Sequence, residues 1–144
     1  MKSDVHAAIA DRLRQRSERY TEQRRALIEA LRAAKRPATV PELLDRVPNL
    51  AQSSVYRNLA VLERADAVRR VAGADEWARY ELAEGLTDHH HHLICESCGA
   101  VFDFTVSDAF ERDLHHVLDQ VADRHGFSAA QHRLDLVGRC RDCG

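Results

Sequence analysis

The segment His89-His90-His91-His92-Leu93-Ile94-Cys95-Glu96-Ser97-Cys98 joins a run of four histidines to a Cys-x-x-Cys pair, and Cys140-Arg141-Asp142-Cys143 repeats the pair near the C-terminus. The two pairs use all four cysteines of the chain. Two such turns present four thiolates, the ligand set of a closed tetrahedral zinc site. Because residues 99–139 separate the pairs, the metal would join elements that are distant in sequence, and the segment between them should form a compact unit.

Two disulfides or one redox-active pair are the alternatives to zinc. The segment from Val5 to Leu13 is too polar for a secretory signal, and no apolar run reaches the length of a bilayer span. We therefore expect a cytoplasmic protein without membrane contact, where reducing conditions disfavour structural disulfides. A lone redox motif needs no second copy. The sequence thus predicts a structural zinc bound by Cys95, Cys98, Cys140 and Cys143.

The histidine run reads as an extended segment that leads into the first cysteine pair. Successive side chains of a strand point to opposite faces, so His89 and His91 share one side while His90 and His92 share the other. One strand can therefore supply two metal sites. A solvated polar run is the alternative, although His-rich tracts commonly bind metals.

Charge is distributed unevenly along a chain whose composition suits a soluble globular protein. The chain has 144 residues, of which 44% are hydrophobic and 31% charged, with a net charge of -2. Residues 1–70 hold 15 Lys and Arg against 9 Asp and Glu, whereas residues 71–144 hold 6 against 14. This asymmetry favours a first half that faces a polyanion and a second half that collects cations.

The first half has the pattern of a winged helix-turn-helix. Apolar periodicity predicts helices over 5–16, 22–34 and 52–64, with Thr21 capping the second and Asn49 or Ser53 capping the last. A short helix starts near Pro41, and two short strands, 68–72 and 78–82, form the wing. A plain helical bundle with a solvated arginine face is the alternative. The last helix would present five polar or aromatic side chains to DNA: Ser53, Ser54, Tyr56, Arg57 and Asn58.

In the second half, the pattern of apolar residues predicts a strand over 100–104, a helix from Phe110 to about Arg124, and a final strand over 133–137. The fold class is therefore α+β. We treat residues 1–83 as the winged-helix domain, 84–90 as a hinge, and 91–144 as a metal-binding domain.

Several motifs occur in a fixed order along the chain. They are Tyr20-Thr21-Glu22-Gln23-Arg24, Ser54-Val55-Tyr56-Arg57-Asn58-Leu59, Tyr80-Glu81-Leu82, the His-His-x-x-Cys-x-x-Cys-Gly run at 91–99, and His132 followed by Gly138-x-Cys140-x-x-Cys143. Together they resemble the ferric uptake regulator (Fur) family of metal-dependent repressors, from about residue 8 to the end.

The resemblance implies a homodimer with a small C-terminal α/β dimerisation domain that carries the structural zinc. It also implies that Tyr56 and Arg57 read an AT-rich palindromic operator in double-stranded DNA, while Arg19 approaches a minor groove.

A regulatory metal site near the hinge is carried over from the family only in part. Iron-type members use the Glu of the Tyr-Glu-Leu strand, two alternating histidines, and a histidine that precedes the third helix. The matching positions here are Glu81, His90 and His92, but Ala38 occupies the fourth. The resemblance therefore implies a regulatory site that is one ligand short, completed by water or by an unidentified ligand.

Zinc-type members with a similar histidine run use a cysteine and an aspartate, at positions that align with Ala83 and Arg69. The metal sensed is therefore left as Zn(II) or Fe(II). A second metal site is complete by resemblance, with Asp108 as a weaker candidate for its carboxylate: His89, His91, Glu111 and His132.

These observations predict a metal-responsive repressor of metal-uptake genes, and not an enzyme. A zinc-dependent hydrolase that uses the His/Glu cluster is one alternative, but no H-E-x-x-H signature is present and the basic half would have no role. A metal-buffering protein is the other.

Overall fold

The structure, a computed structural model, describes residues 4–144, so the first three residues of the predicted 1–83 domain lie outside the described residues. One three-stranded sheet has the order β1-β3-β2, and a second has the order β5-β4-β6. In chain order the elements are α1 (Val5–Arg14), α2 (Glu22–Ala34), β1 (Ala38–Thr39), α3 (Val40–Arg46), α4 (Gln52–Arg64), β2 (Val68–Val71), β3 (Arg79–Leu82), β4 (His91–Cys95), β5 (Val101–Phe104), α5 (Asp108–Arg124) and β6 (Asp135–Gly138).

The helices of the first half share one apolar core. Leu13 of α1, Leu27 of α2 and Leu59 of α4 are fully buried in it. Thr21 caps α2 as predicted, because its Oγ1 accepts a hydrogen bond from the Arg24 N–H at 3.3 Å. The first helix ends at Arg14 rather than Arg16, since the chain turns at Ser17, which has a φ of 58°.

The prediction for the cap of α4 is wrong. Neither Asn49 nor Ser53 holds the cap position, which Ala51 occupies without a side-chain hydrogen bond. The extended backbone of Ala51 starts the helix, and packing against α2 and α3 holds it in place. The side chain of Ser53 is exposed.

The prediction that Asn58 lies on the outer face of α4 is also wrong. Asn58 is only 7% exposed. Its Oδ1 accepts a hydrogen bond from Arg24 Nε at 3.1 Å, and its Nδ2 donates to Gln23 Oε1 at 3.2 Å. The carboxamide joins α4 to α2, and buried polar groups need such partners. Asn58 is therefore an internal support of the helix pair rather than part of the exposed surface.

The wing is a three-stranded sheet rather than the predicted pair of strands. β2 and β3 pair antiparallel as predicted, with Arg69 opposite Glu81. The additional strand β1 pairs with β3 and places Ala38 opposite Tyr80. A two-residue strand gives no periodic signal, so only its pairing partner identifies it.

The second sheet brings the two cysteine turns together. β4 pairs antiparallel with β5 and parallel with β6, which places His92 opposite Asp103 on one side and opposite Asp135 on the other. The Cys-x-x-Cys turns follow the adjacent ends of β4 and β6. Large apolar side chains of this half are exposed in the single chain: Phe110, Val117, Val121, Phe127, Leu136 and Val137.

The wing contacts the first cysteine turn. Val71 of β2 packs with Ile94 and Val101 in a small buried cluster. Gly99 has a φ of 77°, and a Cβ there would lie 2.0 Å from Asp75 Oδ2, so only glycine fits this approach. Among the described residues, no helix has both the length and the hydropathy that crossing a membrane requires.

Candidate functional site

The four cysteines converge at the ends of β4 and β6. They are free thiols whose Sγ atoms all lie within 4.8 Å of one another, with 3.9 Å between Cys98 and Cys140. The backbone N–H groups of Cys140 and Cys98 point at Cys95 Sγ and lower the pKa of this thiol from 9.0 to about 6. These hydrogen bonds favour the thiolate form of Cys95, which is the form that binds metal. The donor set and its convergence fit a closed zinc site.

A second cluster joins the wing to the strand that follows the hinge. His90 Nε2 lies 2.9 Å from Glu81 Oε2, and His92 Nε2 lies 3.1 Å from Glu81 Oε1. Burial raises the pKa of Glu81, but hydrogen bonds from His92 and His90 and the charge of Arg69 outweigh it and lower this pKa from 4.5 to about 2. Glu81 is therefore a buried carboxylate that is charged throughout the physiological range.

Asp103 is a candidate ligand that the sequence analysis did not identify. Ligand atoms of Glu81, His90, His92 and Asp103 all lie within 4.8 Å of one another. Asp103 lies on β5 opposite His92, and its Oδ2 is 3.8 Å from His90 Nε2. Burial raises its pKa and the neighbouring Glu81 raises it further, an electrostatic cost that a bound cation would remove. The one feature of the sequence that could have identified Asp103 is that it is the single acidic residue in an otherwise apolar strand.

Arg69 adds a cation to this cluster. Its Nε donates to Glu81 Oε1 at 2.7 Å, and its Nη2 lies 2.7 Å from the same oxygen. The Arg69 side chain also reaches Glu84, whose Oε2 is 3.8 Å from Nη1. Ala38 and Ala83 are buried, and an alanine side chain supplies no metal ligand.

A third cluster holds the other pair of histidines, so the four histidines divide between two clusters as the alternation predicts, although β4 itself begins at His91. Glu111 on α5 accepts from His91 Nε2, and its Oε2 lies 3.3 Å from His89 Nε2 and 3.4 Å from His132 Nε2. Asp108 is not in the group, so the carboxylate is that of Glu111. The ligand atoms of this set lie within 4.8 Å of one another: His89, His91, Glu111 and His132.

The chemistry of the third cluster also fits a metal ion. His132 Nε2 is buried and makes no hydrogen bond with the described part of the chain, despite its distance of 3.4 Å from Glu111. A buried ring nitrogen without a partner is costly, and a metal ion would use its lone pair. Glu84 Oε1 lies 2.5 Å from His89 Nδ1, the outer hydrogen bond that orients a metal-binding imidazole.

The candidate DNA face lies on α4 and on the loop before α2. Tyr56 is 45% exposed, Arg57 is exposed, and Arg57 Nη2 donates to Ser54 Oγ at 3.3 Å. Arg19 is exposed as well, and its carbonyl oxygen accepts a hydrogen bond from Arg24 Nη1 at 2.6 Å. Arg24 thereby holds the backbone that carries Arg19. Exposed guanidinium groups at these places suit phosphates and base edges.

Comparison with known proteins finds regulators that are similar to this chain over most of its length. The peroxide-responsive repressor PerR of Staphylococcus saprophyticus is 31% identical over 137 residues, covering 91% of this chain and 86% of that protein. The Vibrio cholerae ferric uptake regulator superposes with a TM-score of 0.71 at 25% identity, over 95% of this chain and 100% of that one. A zinc-bound manganese uptake regulator gives 0.66 at 29% identity, over 95% and 99%.

These relatives carry the names of regulators, and they give no support to the zinc-dependent hydrolase alternative. The sequence profile of the ferric uptake regulator family matches residues 15–137, which include the first cysteine pair and both histidine–carboxylate clusters and end before Cys140 and Cys143. With this match and the shared fold, the chain belongs to the ferric uptake regulator family.

Proposed function

We propose that this protein is a homodimeric, metal-responsive repressor that binds an AT-rich palindromic operator of metal-uptake genes in the cytoplasm, with Zn(II) or Fe(II) as co-repressor and no enzymatic activity. One observation carries the proposal. Glu81, on the wing of the DNA-reading half, meets His90, the last residue of the predicted 84–90 hinge, and His92, which lies beyond it on β4. A metal ion held by these groups would tie the two halves together.

The proposed switch is a population shift. Metal favours the DNA-competent arrangement only if it binds that arrangement better than the others. The cluster of Glu81, His90, His92 and Asp103 has this property, because moving the wing would remove Glu81 from the other three. The cluster of His89, His91, Glu111 and His132 lies within 89–132, so its affinity should depend less on the wing. We therefore assign sensing to the first cluster and a supporting role to the second.

The C-terminal half would also supply the structural zinc site and the dimer interface. Four cysteines hold a structural zinc that fixes β6 to β4. Exposed apolar residues of α5 and β6, among them Val117 and Leu136, suit contact with a second copy of the chain. A two-fold dimer presents two α4 helices, which matches a palindromic operator.

Arg57→Ala should weaken binding to the specific operator by about 1 to 3 kcal/mol if the guanidinium makes a bidentate base contact. Arg19→Ala should instead weaken specific and scrambled duplexes alike and reduce the salt slope of binding by about one. Titrations of both duplexes at several salt concentrations separate the two effects. Unchanged affinity in both variants would place the DNA face elsewhere.

Asn58→Ala is the matched control for this face. The substitution removes the hydrogen bonds with Gln23 and Arg24. Thermal unfolding should therefore show that the free energy of unfolding falls by about 1 to 3 kcal/mol. Among folded molecules, the preference for the specific duplex should stay that of the wild type. A selective loss of specific binding would return Asn58 to the DNA face.

The proposed function is tested by DNA-binding affinity against buffered free metal, under anaerobic conditions for iron. We expect tight, salt-dependent binding to duplex DNA only when Zn(II) or Fe(II) is present. Binding that ignores metal would refute the repressor mechanism. Metal uptake without any DNA binding would instead support the metal-buffering alternative.

A further inference from the structure

The strand register of the wing places Arg69 opposite Glu81. The two residues are direct cross-strand partners of β2 and β3. The Glu81 side chain is 7% exposed and the Arg69 side chain 28%, so the ion pair is largely shielded from solvent. Glu84 lies on the other side of the guanidinium and helps to hold it in place.

The two oxygens of Glu81 differ in their contact with Arg69, whereas His92 Nε2 lies at a similar distance from both, 3.1 Å from Oε1 and 3.2 Å from Oε2. Oε1 receives both Nε and Nη2 of Arg69 at 2.7 Å, whereas Oε2 lies 2.9 Å from His90 Nε2. A carboxylate oxygen that accepts two charged donors is a poor ligand for a cation, because the guanidinium competes for the same lone pairs. Glu81 therefore offers a metal ion one strong donor atom, Oε2.

The number of donor atoms bears on metal identity. With Glu81 limited to Oε2, the cluster lacks the second oxygen of a bidentate glutamate. Its four ligand side chains are Glu81, His90, His92 and Asp103. Four nitrogen and oxygen ligands satisfy zinc, which has no geometric preference from its d electrons. Octahedral sites rich in oxygen suit Mn(II), and a bidentate glutamate is a simple way to add the missing oxygen.

We propose that Arg69 restricts Glu81 to a single metal-binding oxygen and so selects Zn(II) over Mn(II) at the Glu81 cluster. The inference rests on the proposed sensor and specifies the metal ion that the sensor binds. Arg69 acts on the metal through Glu81, so it is a positioning residue that sets specificity rather than a ligand.

The test uses the full-length dimer with its structural zinc retained and compares wild type with Arg69→Gln, which removes the charge and keeps a polar side chain. Arg70→Gln is the matched control, because Arg70 is the next residue of β2 but pairs with Glu63 at 3.0 Å, away from the cluster. Zn(II) and Mn(II) affinities are measured by chelator competition. Co(II) spectra, with the His90→Ala spectrum subtracted, report the coordination number at this cluster.

In Arg69→Gln, the ratio of Zn(II) to Mn(II) affinity should fall by about tenfold, the lower end of the usual effect of groups behind a metal ligand. The visible absorption per bound Co(II) should also weaken, as expected when a four-coordinate site gains a ligand. Arg70→Gln should change neither quantity. An unchanged ratio, or an equal gain for both metals, overturns the inference while leaving the sensor in place. If the His90→Ala variant binds as much metal as the wild type, the sensor assignment fails and this inference fails with it.

Discussion

Cys95→Ser is expected to remove about one zinc ion per chain and to unfold or monomerise the C-terminal half. Structural zinc in small domains contributes on the order of 10 kcal/mol of folding free energy, comparable with the whole stability of a domain. All four residues of β6 are exposed in the single chain, so apolar burial does little to hold this strand. Its parallel pairing with β4 keeps it in the sheet, and the proposed zinc would reinforce this pairing through the cysteine turns.

Zinc content and sedimentation of the variant measure this effect, and Cys143→Ser should behave in the same way. Arg141→Gln is a suitable control, because Arg141 is an exposed residue of the same turn and has no thiol. An intact dimer that keeps its full zinc content after either cysteine is replaced would refute the structural site.

His90→Ala is expected to abolish metal-dependent DNA binding. Its Nε2 is 2.9 Å from Glu81 Oε2, so it lies at the junction that we propose metal closes. Burial lowers the pKa of His90, but the Asp88 carbonyl and Glu81 raise it overall, which shows how closely acceptors surround the ring. Without this imidazole, metal has little differential affinity for the arrangement that binds DNA.

His89→Ala supplies the comparison, since it removes the same side chain from the neighbouring residue on the other side of the chain. We expect it to keep the metal response with reduced occupancy of the second cluster. DNA binding against buffered free metal is the measurement for both variants. If His89→Ala abolishes the response and His90→Ala preserves it, the sensor is the cluster around Glu111.

Patterns local to one element determined much of this protein at the level of sequence. Helical periodicity located α2 and α4, since residues three and four apart share a helix face. Strand alternation divided the four histidines between two clusters, because the period of a strand is two residues. The cysteine spacing identified four thiols that the structure brings together. The α+β fold class follows from these signals, whereas the family was identified from the resemblance of the ordered motifs.

Tertiary structure alone decided the features that depend on which residues face each other. Asp103 joins the Glu81 cluster because β5 pairs with β4 in the register that sets it opposite His92, and Arg69 caps Glu81 because β2 pairs with β3 in the same manner. Asn58 turns inward because α2 covers that side of α4. Cross-strand register and helix packing join residues that are far apart in sequence, and no local period records such contacts.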